Sequence, residues 1–231
     1  MNGENEHHSD ETRHHFDELL EGLKHDMVVI GSLVVENTKR VAEAMLDNKL
    51  DLAAQAIDAD AEIDDRYVTL ERHVYETIAR QQPVAGDLRF LVASTRILYE
   101  LERSGDLAIN CAKALLRQDG FDLSARLRGI LARLTTEAAA IFARAIDVLA
   151  EMDAAAGPRM AREDDVVDDL VGEFYRVNGR EAEQMGLEMA IELSRIGRYL
   201  ERIGDHAVNI AEHVTYIVTG EFPDHEEDSG I

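Results

Sequence analysis

Eight acidic residues, set as four pairs at helical spacing, are the side chains of this sequence best placed to do chemistry. Glu102 and Asp106 recur as Glu201 and Asp205, inside a stretch that occurs twice. The first copy reads Glu102-Arg103-Ser104-Gly105-Asp106-Leu107-Ala108-Ile109-Asn110-Cys111-Ala112 and the second Glu201-Arg202-Ile203-Gly204-Asp205-His206-Ala207-Val208-Asn209-Ile210-Ala211. Seven identities fall at one offset, 201 − 102 = 99 residues, so the chain reads as two copies of one unit. Upstream of each copy stands a further pair: Asp60 and Asp64 match Asp164 and Asp168 at an offset of 164 − 60 = 104. Residues four apart share a helical face. If the helices of one half are neighbours, four carboxylates converge there. Such a group needs cations, protons or arginines to be tolerable. Oxygen-only ligands suit hard or borderline ions such as Mg²⁺, Ca²⁺, Mn²⁺ or iron, and bridging carboxylates permit a multinuclear cluster.

The helices that carry these acids also place them. Leu91, Leu98, Glu102, Gly105, Ile109 and Ala112 follow the 3.5-residue spacing of a packing seam, so Glu102 and its copy Glu201 occupy slots where an apolar residue is expected. Gly105 and Gly204 stand mid-helix, at a cost of about 1 kcal/mol each relative to Ala. The same glycine in both copies points to a close approach by a backbone or a ligand. Two plainer readings stand beside this one: solvated acids on an outer face, or salt bridges to Arg103 and Arg202.

With 231 residues and 45% hydrophobic composition there is room for one large domain or two small ones. Residues 1–12 read as a disordered polar tail whose His7 and His8, with His14 and His15 beyond, could bind metal adventitiously. Six helical segments follow, three in each half: residues 13–118 form the first repeat, residues 119–222 the second, and residues 223–231 an acidic tail. The breaks fall at Asp47-Asn48-Lys49, Gln82-Pro83, Gln118-Asp119-Gly120, Gly157-Pro158 and Gly220. No segment alternates with period two, so the fold is predicted to be all-α, two tandem three-helix bundles with sequential helices antiparallel. The uncharged run from Met27 to Val35 is far too short to span a membrane. The charged, His-rich first residues do not read as a secretory leader, so a cytoplasmic protein is expected. A net charge of −23 argues against nucleic acid and anionic membranes as partners. The single cysteine, Cys111, aligns with Ile210 and reads as a packing residue.

Helical bundles with inward acids include the di-iron oxidases, but those need Glu-x-x-His on two helices. The only such spacing here is Glu4 to His7. His206 and His213 flank the second acid pair and have no counterparts in the first copy, where Leu107 and Ala114 stand. No nucleophile–base pair, phosphate loop or zinc spacing is present, so enzymatic chemistry is not expected.

The sequence resembles the PhoU family, cytoplasmic regulators of phosphate uptake. The resemblance is carried by Arg80-Gln81-Gln82-Pro83-Val84-Ala85-Gly86-Asp87-Leu88-Arg89, by the two repeated stretches, by Val218-Thr219-Gly220 and by the four acid pairs. It covers roughly residues 15–222. It implies two similar three-helix bundles, multinuclear metal sites holding iron or zinc on the bundle surface, and a homodimer. It also implies negative regulation of the phosphate-starvation response, coupling a phosphate ABC transporter to a sensor histidine kinase. On this reading Asp60, Asp64, Glu102 and Asp106 are one ligand set and Asp164, Asp168, Glu201 and Asp205 the other, with Mn or Mg as further candidate ions. Asn110 and Asn209 would hydrogen-bond behind the ligands, and Arg103 and Arg202 would balance the acids. The transporter's nucleotide-binding subunit and the kinase are the expected partners. A carboxylate-bridged di-iron metalloenzyme and a metal-free helical adaptor are the alternatives. The halves differ in one respect: Gln184-Met185-Gly186-Leu187 replaces the Pro-Val-Ala-Gly-Asp-Leu run, so they need not bind partners equivalently.

Overall fold

The computed structural model describes the backbone of residues 2–221 and the side chains of residues 13–221. Six helices follow one another: α1 (Asn2–Asp47), α2 (Leu50–Gln81), α3 (Ala85–Arg117), α4 (Ala125–Glu151), α5 (Ala156–Met185) and α6 (Leu187–Thr219). Helix α1 begins at Asn2, so its backbone runs through the stretch expected as a polar tail. The acidic stretch 223–231 lies outside the described residues.

Each turn has a local cause. Gln82 ends α2 in the left-handed region at φ 48°, and Pro83, which lacks an N–H, cannot continue the helix. Ser124 opens α4 by accepting from the Leu127 N–H at 3.1 Å. Gly186 alone separates α5 from α6, at φ 93°. The joint between halves is clamped to the α1–α2 turn. Asn48 Oδ1 accepts from the Phe121 N–H at 2.7 Å, and its Nδ2 donates to the Phe121 carbonyl at 3.0 Å.

The first three helices pack on one another, as do the last three, and the halves meet where α3 crosses α6 and where α1 meets α4. Helices α1, α3, α4 and α6 thus form a shared centre, with α2 and α5 on its two flanks. One apolar cluster runs through both halves, from Met27, Ile30 and Val34 on α1 to Leu193, Ile196 and Leu200 on α6. Cys111 is fully buried in it, as a packing residue should be. Ser104 and Ile203, which differ between the repeats, are both fully buried. The Ser104 hydroxyl is satisfied by the Glu100 carbonyl at 2.8 Å.

Candidate functional site

The four acids of each repeat meet on the outer seams, between α2 and α3 and between α5 and α6. Asp60, Glu102, Asp106, Asp164 and Glu201 are half-buried; Asp64, Asp168 and Asp205 are exposed. Asp60 and Asp164 turn in between the helices, onto Gly105 and Gly204, whereas Glu102 and Glu201 are only half-buried, which corrects the inward placement read for these two from the seam. The physical reason is geometric: Glu102 and Glu201 sit at the edge of the stripe, where a long side chain reaches solvent.

The glycines explain how the helices fit here. A Cβ on Gly204 would lie 2.2 Å from Asp164 Oδ1. A Cβ on Gly105 would lie 3.6 Å from Asp60 Oδ1. What approaches each glycine is the carboxylate of the neighbouring helix. The repeated glycine and the acid about forty residues upstream belong to one device, which sets both side chains and register.

Electrostatics tie the members of each set together. Burial, then the negative charges of Asp64, Asp106 and Glu102, push Asp60 up to about 6, against the pull of Lys113. Burial, then Asp168, Asp205, Asp165 and Glu201, push Asp164 up to about 7. Partial desolvation, followed by the same neighbours, raises Asp64 and Asp168. Desolvation and Asp106 raise Glu102, opposed by Arg103. Desolvation also raises Asp205, opposed by Arg198. Carboxylates that hold one another's protons on are short of positive charge.

The basic residues meet this need in part. Arg103 lies 3.1 Å from Asp106 and 3.4 Å from Glu102, its guanidinium over the Tyr99 ring. In the second repeat Arg198 takes that place, 2.7 Å from Glu201. Arg202 acts on Asp205 only through its charge. Arg198 was not singled out from sequence; it aligns with Tyr99, and the exchange of an aromatic for a cation beside the same acid was its signal.

The asparagines and histidines fall elsewhere than expected. Asn209 donates to Glu100 Oε1 of α3 at 3.3 Å, and among the described residues Asn110 has no side-chain hydrogen-bond partner. Neither supports the acids. His206 is 5% exposed and its Nδ1 meets Glu100 across the α3–α6 seam. His213 feels the same Glu100 charge. His206 thus bridges the joint between repeats and also acts electrostatically on Asp205 of the second acid set. At the offset of 99, Glu100 corresponds to Tyr199 and His206 to Leu107, so the Glu–His pair is not repeated at the matching positions. That contrast was visible in the sequence and marks where the two copies have diverged.

The residues present fit a bound cation. Asp164 Oδ1 is buried without a hydrogen-bond partner, every donor of both sets is a carboxylate, and positive charge is deficient. Among the described residues, however, no three His, Cys, Asp or Glu side chains are arranged as a finished site for one ion.

The two other quoted motifs meet each other. Arg89 Nε donates to the Ile217 carbonyl at 2.9 Å, capping the end of α6. Its guanidinium fills the space over Gly220, where a Cβ would come within 2.6 Å. Gly220 also holds φ 84°, so a side chain there is excluded twice. Asp87 accepts from Arg13 of α1 at 2.7 Å. The Pro83 run and the Val218-Thr219-Gly220 run are the two sides of one clasp.

The model of the PhoU domain matches residues 28–115 and 131–214, one match per repeat. The chain is 30% identical over 209 residues to a phosphate-specific transport system accessory protein PhoU homolog of Synechocystis sp., covering 90% of this chain and 93% of that protein. It is 31% identical over 186 residues to the PhoU homolog 2 of Mycobacterium tuberculosis, covering 80% and 87%. The crystal structure of PhoU from Pseudomonas aeruginosa superposes with a TM-score of 0.83 at 27% identity, covering 89% of this chain and all (100%) of that one. With its duplicated acids, its clasp and both repeats accounted for, the chain belongs to the PhoU family.

Proposed function

We propose that the chain is a cytoplasmic, non-enzymatic regulator of phosphate uptake whose acid clusters bind transition-metal ions. In this reading it restrains the phosphate-starvation response by linking the nucleotide-binding subunit of a phosphate ABC transporter to a phosphate-sensing histidine kinase, and it works as a homodimer. The observation that carries the metal reading is the retention, in both repeats, of four carboxylates beside a glycine that one of them faces, at Gly204 in a space no side chain could share. Membership of the family and relatives named as phosphate-transport accessory proteins support the regulatory half. No helix among the described residues is long and apolar enough to cross a membrane, which agrees with a partner protein reaching the transporter from one side.

Asp60, Asp64, Glu102 and Asp106 would hold one group of ions and Asp164, Asp168, Glu201 and Asp205 the other. Iron or zinc is the first choice and manganese or magnesium the next. A bound ion supplies the positive charge these carboxylates lack. The chain's own contribution is to hold the acids of two helices side by side, through Gly105 and Gly204, and to leave Arg103 and Arg198 at the rim. Metal would thereby fasten each flanking helix to the shared centre.

Elemental analysis of purified protein tests this. Several transition-metal ions per chain are expected, with the content reduced by Asp106→Asn or Asp205→Asn. No metal in the native chain, with stability indifferent to either change, defeats the metal reading. A second reading, a metal-free helical adaptor, draws on the lack, among the described residues, of three donors set for one ion. Equal binding to the transporter subunit before and after chelation would favour it.

A further inference from the structure

The repeats agree in their acids and differ in their apolar surface. On the outer α2–α3 face, Val68 is 60% exposed, Tyr75 53%, Val84 72%, Leu88 38%, Val92 47% and Tyr99 45%. Leu88, Val92 and Tyr99 are spaced to run along one side of α3, and that side continues into Glu102 and Asp106. Asp60 packed at Gly105 fixes the antiparallel register of α2 on α3. Tyr75, further along α2, is therefore level with the turn of α3 that carries Val92.

The second repeat provides an internal comparison. Leu187 and Ile191 keep the positions of Leu88 and Val92. Gly172, Gly179, Glu183 and Arg198 stand where the first repeat has Val68, Tyr75, Val84 and Tyr99. The same three-helix fold and the same acid set form without those four side chains. Packing does not require them, and large apolar groups held together in solvent mark a surface that meets a partner.

Charge selects the partner. The apolar stripe ends on Asp60, Asp64, Glu102 and Asp106, and Glu71 accepts from the Tyr67 hydroxyl at 2.9 Å and the Tyr75 hydroxyl at 3.5 Å within it. The cation standing over Tyr99, Arg103, is already paired with Asp106. A second copy of a chain of net charge −23 would bring like charge to the same place, and so would an anionic membrane. We propose that the α2–α3 face of the first repeat docks a basic amphipathic helix of a partner protein, with apolar anchors on the Val84–Tyr99 stripe and Lys or Arg toward Glu71 and toward those of the acids that no ion holds. This deepens the adaptor reading and rests on it only in requiring a protein partner.

The test is fluorescence anisotropy on the full chain with three labelled peptides: an amphipathic Leu/Phe/Lys helix, the same composition in scrambled order, and the ordered helix with Glu replacing Lys. The ordered basic peptide is expected to bind about tenfold or more tightly than the scrambled one, and the acidic peptide not to bind. The double variant Tyr75→Gly/Tyr99→Arg installs the second repeat's own residues, which the fold accepts. It should lose that advantage while keeping native helicity and metal content, and Val166→Ser on the second repeat should keep it. Equal binding of ordered and scrambled peptides, or no effect of the double variant, overturns the proposal. So does self-association or binding to anionic vesicles that the double variant abolishes in place of peptide binding. Metal content measured on the same samples separates this outcome from failure of the metal reading.

Discussion

At the scale of single residues, the two mid-helix glycines should behave differently. A Cβ on Gly105 meets Asp60 Oδ1 at 3.6 Å, an ordinary contact, so Gly105→Ala gains helix propensity of about 0.5–1 kcal/mol with the acids in place. At Gly204 the same atom would lie 2.2 Å from Asp164 Oδ1, so the carboxylate must swing away. Gly204→Ala should therefore weaken metal retention in the second repeat, while Gly105→Ala raises the melting temperature and spares the first. Elemental analysis and thermal unfolding of both variants check this. Equal effects on metal would show that Asp164 does not depend on the space at Gly204. The pairing of glycine with distant acid was only half legible in the sequence. Repetition exposed Gly105, Gly204 and the four acid pairs, because duplication preserves spacing. Which group approached the glycine depends on the register between helices, and no pattern within one helix contains that.

At the scale of helices, the joint between repeats is the least symmetric part of a symmetric plan. Glu100 with His206 and Asn209 holds one side, and Tyr199 and Leu107 stand at the matching positions of the other repeat. Removing one member of a buried hydrogen-bonded pair strands the polar atoms of the other, typically at about 1–3 kcal/mol, whereas replacing both with apolar residues can be nearly neutral. Glu100→Tyr and His206→Leu copy those matching positions. Each alone should lower stability, and the double variant should recover much of the loss. Denaturant unfolding of the four proteins in a double-mutant cycle measures this, and additive effects would show that the pair is not coupled. The six helices and nearly all their ends were legible, since Pro83, Gly120, Pro158 and Gly220 punctuate periodic segments. The orientation of His206 was not. Asp205 beside it faces α5 and the imidazole faces α3, a difference of one residue that turns a side chain by about 100°.

At the scale of the whole molecule, two carboxylate clusters on a chain of net charge −23 make stability depend on pH in an unusual direction. Asp60 at about 6 and Asp164 at about 7 stand above their unfolded values near 3.8. The folded chain therefore binds more protons than the unfolded chain between pH about 4 and 7. Stability of the metal-free protein should fall as pH rises through that window and be greatest at its acid end. Bound metal should flatten the dependence, since it replaces the protons. Thermal unfolding across pH 4 to 8, with and without chelator, measures both. A metal-free chain that gains stability from pH 5 to 7 would refute the claim that the clusters repel. The all-α plan and the twofold repeat were plain from composition and period. The surface position of the acids was not, because a seam slot at the edge of a stripe and one at its centre look alike in one dimension.

The clasp of Arg89 on Ile217 and Gly220 brings the carboxyl-terminal exit of α6 next to Val84 and Leu88. A reporter or affinity handle inserted at Gly220 would start from the pole at which α3 begins, the end of the first repeat that carries Val84 and Leu88. The turn held by Asn48 and Phe121 lies at the other end of α3, so labels for interaction assays belong at that pole.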